Sequence, residues 1–368
     1  MKVGIDARTL SRPLTGIGNY TLEMCKALAK LPDIDLYLYS PNVISCDLSG
    51  LESVFIKTKH WNNSILRQIW SETYLPLWAK NDDIDVFWGP SHRLPRWLPK
   101  HIARVVTIHD LVWKYAGKSM RLFSRFLEIY FMPVAVRLAD KIVVDSQATL
   151  KSVQDEFAVQ ADRLVCVPLG KKHKEILPSN FTRSYFLFVG TLEPRKNLLR
   201  LIFAYSQLSE TLRNKTHFII AGGKGWGKID IFKTIEKLGL EKNIQVLGYV
   251  DESKLCELYA NCLFLAMPSL YEGFGLPLVD AMSYGKPVLT SNNSSMPEVA
   301  GDAGYFVNPL SIDSICEGLQ KLIGDDKLRN ELASHAKDNA AKFDWQLSAK
   351  KLVNVFQEVI DNKFAEQK

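Results

Sequence analysis

In the stretch AMPSLYEGFGLPLVDAMSYGKPV, residues 266–288, two carboxylates bracket a pair of glycines. Glu272 comes first and Asp280 follows eight positions later. A plain reading makes Gly273 and Gly275 a turn between a strand and a helix, with both acids solvated. It accounts for the glycines and leaves the spacing of the acids unexplained. At 1.5 Å per helical residue, eight positions span about 12 Å, less where the start is extended. A glycosidase pair needs carboxyls roughly 5–9.5 Å apart across one bond. The longer reach suits two hydroxyl-rich groups separated by a diphosphate. The unsatisfied N–H groups of Phe274, Gly275 and Leu276, opening the helix, would face the phosphates. That outline is a nucleotide sugar.

Three further clusters carry chemistry. In VGTLEPRKN, Arg195 and Lys196 sit at a strand end, just before a helix beginning near Asn197. Cations beside a helix N-terminus make a phosphate site, although a solvated basic turn reads the same way. In GIDARTLSRPLTGIGNYTLEM, Gly16 and Gly18 close a loop ahead of a helix expected near Asn19. This G-x-G lacks the third glycine of the dinucleotide fingerprint, and the second strand ends in Tyr39-Ser40 without an acid, which argues against a nicotinamide enzyme. In VVTIHDLVW, His109 and Asp110 end an apolar strand, where a polar ring suits a reacting substrate or a structural role.

Such residues need strand ends to hold them. Short β-branched runs recur along the chain, each followed by a helical pattern. They are KVGID, LYLYS, VFIKT, IDVFWG, RVVTIHD, KIVVDS and RLVCVP, then YFLFVG, HFIIAGG, NIQVLG, CLFLAMPS, KPVLTS and GYFVNP. Near-continuous apolar strands alternating with helices imply parallel sheets covered on both faces. Both halves repeat the plan, so the expected fold is α/β, with two doubly wound Rossmann-like domains facing across a cleft. The length of 368 residues agrees with two cores. The boundary is expected in the polar, proline-containing residues 168–184, giving domains 1–170 and 171–344. The segment FDWQLSAKKLVNVFQEVIDNKF reads as an amphipathic helix with Leu347, Leu352, Val353, Phe356 and Val359–Ile360 on one face.

Composition excludes several classes. With 47% hydrophobic and 23% charged residues the chain is not wholly disordered, and its +6 charge suits anionic partners without selecting one. Six scattered cysteines, an N-terminus without an apolar signal core and no run of about 20 apolar residues point to a reduced, cytoplasmic, zinc-free protein. The triplets Asp33–Asp35 and Asp83–Asp85 lead into strands at the amino edge and read as solvated turns, so no metal site is expected. Lys114–Lys141 interleaves six basic residues with Leu122, Phe123, Phe126, Leu127, Tyr130 and Phe131 at helical spacing, before Pro133 bends or ends the run. Either it is a core helix packed on the sheet, or its basic face lies on anionic lipid. It supplies the main basic–aromatic patch, and nucleic acid is not expected as a partner.

Together the Glu272–Asp280 element, the GTLEPRKN turn, the strand-end His109 and the TGIGNYT loop resemble retaining glycosyltransferases of family 4, which have the GT-B architecture. The resemblance covers nearly the whole chain, including MPEVAGDAGYFVNP and the C-terminal helix. It implies that Glu272 contacts the donor hexose, with backbone at Phe274, Gly275 and Leu276 on sugar and phosphate. It further implies that Asp280 holds the ribose, that Arg195 and Lys196 neutralise the diphosphate, that Gly16 brings backbone to the phosphate, and that His109 touches the donor sugar. Tyr249 and Val250 would line the base pocket. The chain departs from the family in having aspartate at 280, where glutamate is usual, and Thr191 where an arginine is usual.

The resemblance also implies a C-terminal helix, 345–368, packed back on the first domain, and catalysis without a metal or other cofactor. The opening and the GTLEPRKN turn look most like mannosyltransferases of bacterial surface-polysaccharide assembly. That implies GDP-mannose as donor, a saccharide or polyprenyl-diphosphate-linked acceptor, and work at the inner face of the membrane. The alternatives are a UDP- or dTDP-sugar donor, or a non-catalytic nucleotide-sugar binder of the same fold.

Overall fold

In the computed structural model the β-branched and aromatic runs become parallel strands whose side chains are mostly buried, the edge strand Val54–Thr58 with exposed Phe55 and Ile56 excepted. It describes all residues except 15, 49–50, 62, 172–182, 227–229 and 367–368. The described part divides into two units. One holds Met1–Leu111, Phe123–Gly170 and Asp344–Lys368; the other holds Val112–Leu122 and Lys171–Phe343. Residues 172–182 of the expected linker lie outside the described residues.

Among the described residues the first unit has β1 (Lys2–Asp6), β2 (Asp35–Ser40), β3 (Val54–Thr58), β4 (Val86–Gly89), β5 (Ala103–Ile108), β6 (Lys141–Val144) and β7 (Leu164–Cys166). They form one parallel sheet in the order β3-β2-β1-β4-β5-β6-β7. The order reverses between β1 and β4, and the carboxyl ends there open a crevice. In the second unit β8 (Tyr185–Val189), β9 (His217–Ala221), β10 (Ile244–Gly248), β11 (Leu265–Met267), β12 (Val288–Ser291) and β13 (Gly304–Val307) run β10-β9-β8-β11-β12-β13. Here the reversal lies between β8 and β11. Their carboxyl ends carry the GTLEPRKN turn and the Glu272 loop.

Helices cover the first sheet. Helix α1 spans Gly16–Leu28, α2 Ser64–Asn81 and α4 Leu122–Leu138, while the short α3, Val112–Tyr115, belongs to the second unit. Helix α1 thus starts at Gly16, three residues before the expected Asn19. A 3-10 turn at Arg8–Ser11 takes up the chain after β1 instead. A Cβ on Gly16 would meet open space, whereas one on Gly18 would press on Leu14 at 3.1 Å, so packing calls for the second glycine.

The C-terminal helix Trp345–Glu366 belongs to the first unit and packs on α1 and β5. Its buried stripe is Ala349, Leu352, Val355, Phe356, Val359 and Ile360. Leu347, expected on that stripe, is 55% exposed because the first turn points it outward. Trp345 lies so close to Gly170 that any Cβ there would fall 2.3 Å from its backbone nitrogen, and Ser348 Oγ donates to the Pro168 carbonyl at 2.6 Å.

Two expectations change. The core-helix reading of Lys114–Lys141 is overturned. Leu122 is 84% and Phe126 63% exposed, with Phe123, Ile129 and Tyr130 also outward, while α4 buries Met132, Ala135 and Val136 near its C-terminal end. Pro133 sits inside α4 without ending it. Of the aspartate triplets, Asp33 and Asp83 are exposed turn residues with positive φ, but the Asp85 carboxylate accepts the Lys2 N–H at 2.7 Å and pins the start of β1. No disulfide joins the six cysteines, and no helix among the described residues is long and apolar enough to cross a membrane.

The C-terminal helix closes the first core through Phe356, whose ring lies 6.2 Å from that of Trp88. Phe356→Ala should therefore destabilise the protein by roughly 3–5 kcal/mol. Urea unfolding followed by tryptophan fluorescence measures this. A change below about 1 kcal/mol would show that the helix adds little to the core.

Candidate active site

The second unit concentrates its buried charge at the β8/β11 reversal. After β8, Pro194–Lys196 form a 3-10 turn, and Asn197 takes φ +62° before the next helix, Leu198–Ser206. The strained residue is held firmly. Asn197 is buried, and its amide donates to the Pro268 carbonyl at 2.9 Å and the Pro309 carbonyl at 2.7 Å. The Leu270 N–H donates to the Arg195 carbonyl at 2.8 Å, fastening the turn to the loop after β11.

That loop is fixed from its other side by serines following β12. Ser291 Oγ donates to the Ser269 carbonyl at 2.6 Å, and Ser295 Oγ to the carbonyls of Glu272 at 3.0 Å and Phe274 at 2.9 Å. The Glu272 N–H donates to Ser294 Oγ at 3.1 Å. The Glu272 carboxylate then stands between two cations, with Arg195 Nη1 at 2.5 Å from Oε2 and Lys196 Nζ at 2.7 Å from Oε1. Arg195 also donates to the Tyr271 carbonyl at 2.9 Å and to Glu193 at 2.6 Å.

Burial alone would raise the pKa of Glu272, but the charges of Arg195 and Lys196 outweigh it and hold the group at about 2. Glu193 goes the other way. Burial raises it despite the same two cations, and the charge of Glu272 adds to the rise. Glu193 was not singled out from the sequence, although it stands two residues from Arg195 in the same motif.

Past Glu272, Gly275 adopts φ +105°, a conformation that side chains disfavour, and the helix Leu276–Ser283 begins. Its first internal bond runs from Leu278 N–H to the Gly275 carbonyl. The N–H groups of Phe274, Gly275 and Leu276 precede it, in the place expected for anion donors. Asp280 lies on this helix, where its charge raises the pKa values of Tyr259 and Tyr284 beyond the rise due to burial. The structure thus joins Glu272 to Arg195 and Lys196, and sets Asp280 beside two tyrosines. Val250 follows Gly248, itself at φ +71°, and Tyr249 between them is 81% exposed.

In the first unit His109 follows β5 and is buried. Its Nδ1 lies 2.6 Å from Asp145 Oδ2, and its Nε2 donates to the Pro90 carbonyl at 2.8 Å. The Tyr20 ring meets it edge-on at 4.6 Å. Burial disfavours the charged ring. The Asp145 carboxylate and the Pro90 carbonyl more than compensate, and the pKa is raised. The backbone N–H of His109 donates to His92 Nε2 at 3.0 Å, so the His92 proton sits on Nδ1, 3.1 Å from Glu128 of α4. Asp145 directly follows β6 in the run KIVVDS, and its strand-end position was the available signal. Gly16 begins α1, exposed, with room around it. Among the described residues no group of three or more His, Cys, Asp or Glu is placed to hold a metal ion.

A raised histidine pKa adds stability below the unfolded value of about 6.5, and that stability is lost as pH rises through the folded value. Asp145→Asn should lower the His109 titration midpoint and remove stability chiefly on the acid side. Ring-nitrogen NMR across a pH series checks the first, and thermal melts at pH 5.5 and 8.5 check the second. An unmoved midpoint would mean that Asp145 does not hold the charge.

Known proteins resemble this chain over nearly its whole length. Residues 171–339 match the family described as Glycosyl transferases group 1, and residues 14–171 match Glycosyltransferase Family 4. O-antigen chain mannosyltransferase B of Escherichia coli is 30% identical, across 97% of this chain and all of that protein. The Escherichia coli serotype-specific mannosyltransferase WbdA is 32% identical over 70% of this chain, which spans only 34% of that longer protein. Among solved structures, sucrose-phosphate synthase from Thermosynechococcus elongatus superposes with a TM-score of 0.77 at 17% identity, covering 98% of this chain and 99% of that one. WaaG, a glycosyltransferase of lipopolysaccharide biosynthesis, gives 0.75 at 18% identity, covering 97% and 99%. With two Rossmann-like sheets and both domain families matched in order, the chain belongs to the family 4 glycosyltransferases of GT-B fold.

Proposed function

We propose that this glycosyltransferase moves mannose from GDP-mannose to a saccharide or polyprenyl-diphosphate-linked acceptor, retaining the anomeric configuration and using no metal. The observation that carries the reading is the end-to-end match to an O-antigen chain mannosyltransferase. The buried Glu272–Arg195–Lys196 cluster supplies the chemistry.

In this reading Arg195 and Lys196 turn toward the donor diphosphate, joined by the N–H groups of Phe274, Gly275 and Leu276. They stabilise charge as the bond from sugar C1 to phosphate oxygen breaks. The acceptor oxygen bonds to C1 on the same face, and its proton passes to the departing diphosphate. Glu272 holds sugar hydroxyls, Asp280 the ribose, and Val250 borders the base. Gly16 offers backbone to phosphate. His109 can offer Nε2–H to a sugar hydroxyl by giving up the Pro90 carbonyl.

The roles of Glu272 and Lys196 separate in one experiment. Glu272→Ala should lower the rate on the order of 10²-fold or more with GDP affinity nearly intact. Lys196→Ala should weaken GDP by roughly 1.5–3 kcal/mol. Calorimetry beside a donor assay with GDP-, UDP- and dTDP-sugars, with and without chelator, tests all parts. Preference for another base, or rescue of chelated enzyme by Mn²⁺ or Mg²⁺, overturns the corresponding part. Equal loss of rate and affinity in Glu272→Ala would make that residue structural.

The outward aromatic face of α4 supports docking on the inner membrane face, where a lipid-linked acceptor would reside. The basic residues of Lys114–Lys141 would contribute about 1 kcal/mol each near an anionic surface. Sedimentation with anionic vesicles, lost at high salt and in an Arg121→Ala/Arg125→Ala double variant, is expected. Salt-independent binding, or none, removes the docking role.

A further inference from the structure

The strand order of the first sheet reverses between β1 and β4, and ligands of open α/β sheets bind at the carboxyl end of such a reversal. Side chains that the donor chemistry leaves unused line that edge. Arg8 leaves β1 and folds back on the fully buried Asp6, with Nε 2.9 and 2.8 Å from its two oxygens. Arg93 follows β4, lies over the Phe131 ring of α4 at 4.9 Å, and donates from Nη1 to Gln68 Oε1 at 3.0 Å. Glu72, one turn beyond Gln68 on α2, accepts the Arg96 N–H at 3.0 Å through Oε2.

These bonds leave much of the hydrogen-bonding capacity unused. A guanidinium has five N–H donors, and Arg93 directs one of them to Gln68. Among the described residues, Gln68 bonds through Oε1 and Glu72 through Oε2, with no further hydrogen bond to the Gln68 amide nitrogen or Glu72 Oε1. Gln68, Glu72 and Arg93 are each partly exposed. Burial and the charge of Arg8 both depress the Arg93 pKa, while Glu128, Asp6 and Glu72 raise it. Arg8, Arg93 and Arg96 thus share the edge with Glu128, Asp6 and Glu72. A neutral ligand dense in hydroxyls finds donors and acceptors together at such a balanced edge.

We infer that Arg93, Gln68 and Glu72 form a saccharide subsite, taking the hydroxyls of the acceptor sugar in the first unit, with the Arg8–Asp6 pair as its floor. The assignment rests on reading the chain as a transferase with a saccharide acceptor. It goes further in naming where that sugar sits. The plainer role of the same bonds is to fasten the segment Arg93–Arg96 to α2.

The readout is the split between the KM values of the two substrates, with GDP-mannose as donor and an octyl α-mannobioside as acceptor. Arg93→Lys and, separately, Gln68→Ala should raise the acceptor KM about ten-fold or more, as loss of a charged or well-formed hydrogen-bond set does, and the donor KM far less. Saturation-transfer NMR with the octyl mannobioside reads binding without turnover, so it still decides the subsite if no transfer or donor hydrolysis is seen in the wild type. Binding by the wild type and its loss in both variants support the subsite. No saccharide binding by the wild type, retention in the variants, or an equal rise in both KM values overturns it. Thermal melts identify a variant that fails to fold, and Gln68→Ala, on the surface of α2, then carries the test.

Discussion

One carboxylate held between two cations is the constraint around which the second unit is built. An ionised glutamate out of water is tolerable only with charged partners at contact distance. Glu272 has two, and each needs a backbone that cannot drift. Arg195 and Lys196 come from a turn locked by the left-handed Asn197, and Glu272 from a loop gripped by serines after β12. Three strand ends thus meet on one side chain. With Glu193 included, two acids face two bases, so the charges of the cluster nearly balance.

The first unit solves a similar problem with imidazoles. A backbone N–H donated into His92 fixes which nitrogen of that ring holds its proton, and that nitrogen faces Glu128 on α4. His109 is clamped at both nitrogens by groups from the ends of two other strands. The strand-end histidine is therefore the centre of a network joining the loops after β4, β5 and β6 with α4. The outer surface of α4 is apolar, and its inner side carries a carboxylate of that network.

Much of this was legible in the residue order. Parallel strands are buried on both faces, so they appear as unbroken apolar runs, and every run named from the sequence is a strand. Glu272, Arg195 and Lys196 stood out because they follow such runs directly. What stayed hidden depends on partners far along the chain. Asp145 lies 36 residues from His109, and Arg195 lies 77 from Glu272. Helical period says which residues share a face but not what covers it. The stripe on α4 therefore looked like core and proved exposed, while Leu347 looked buried and lies outside. The early start of α1 escaped because its opening residues include two glycines, which periodicity treats as loop.

The C-terminal helix also sets an order of events during synthesis. The first unit lacks the stripe from Ala349 to Ile360 until the whole second unit has left the ribosome. Until then the apolar surfaces of α1 and β5 have no cover. A nascent chain can complete the second core, whose strands all lie within Lys171–Phe343, before the first. The unit translated first is thus the one finished last, and for that interval it presents the surface that a chaperone would recognise.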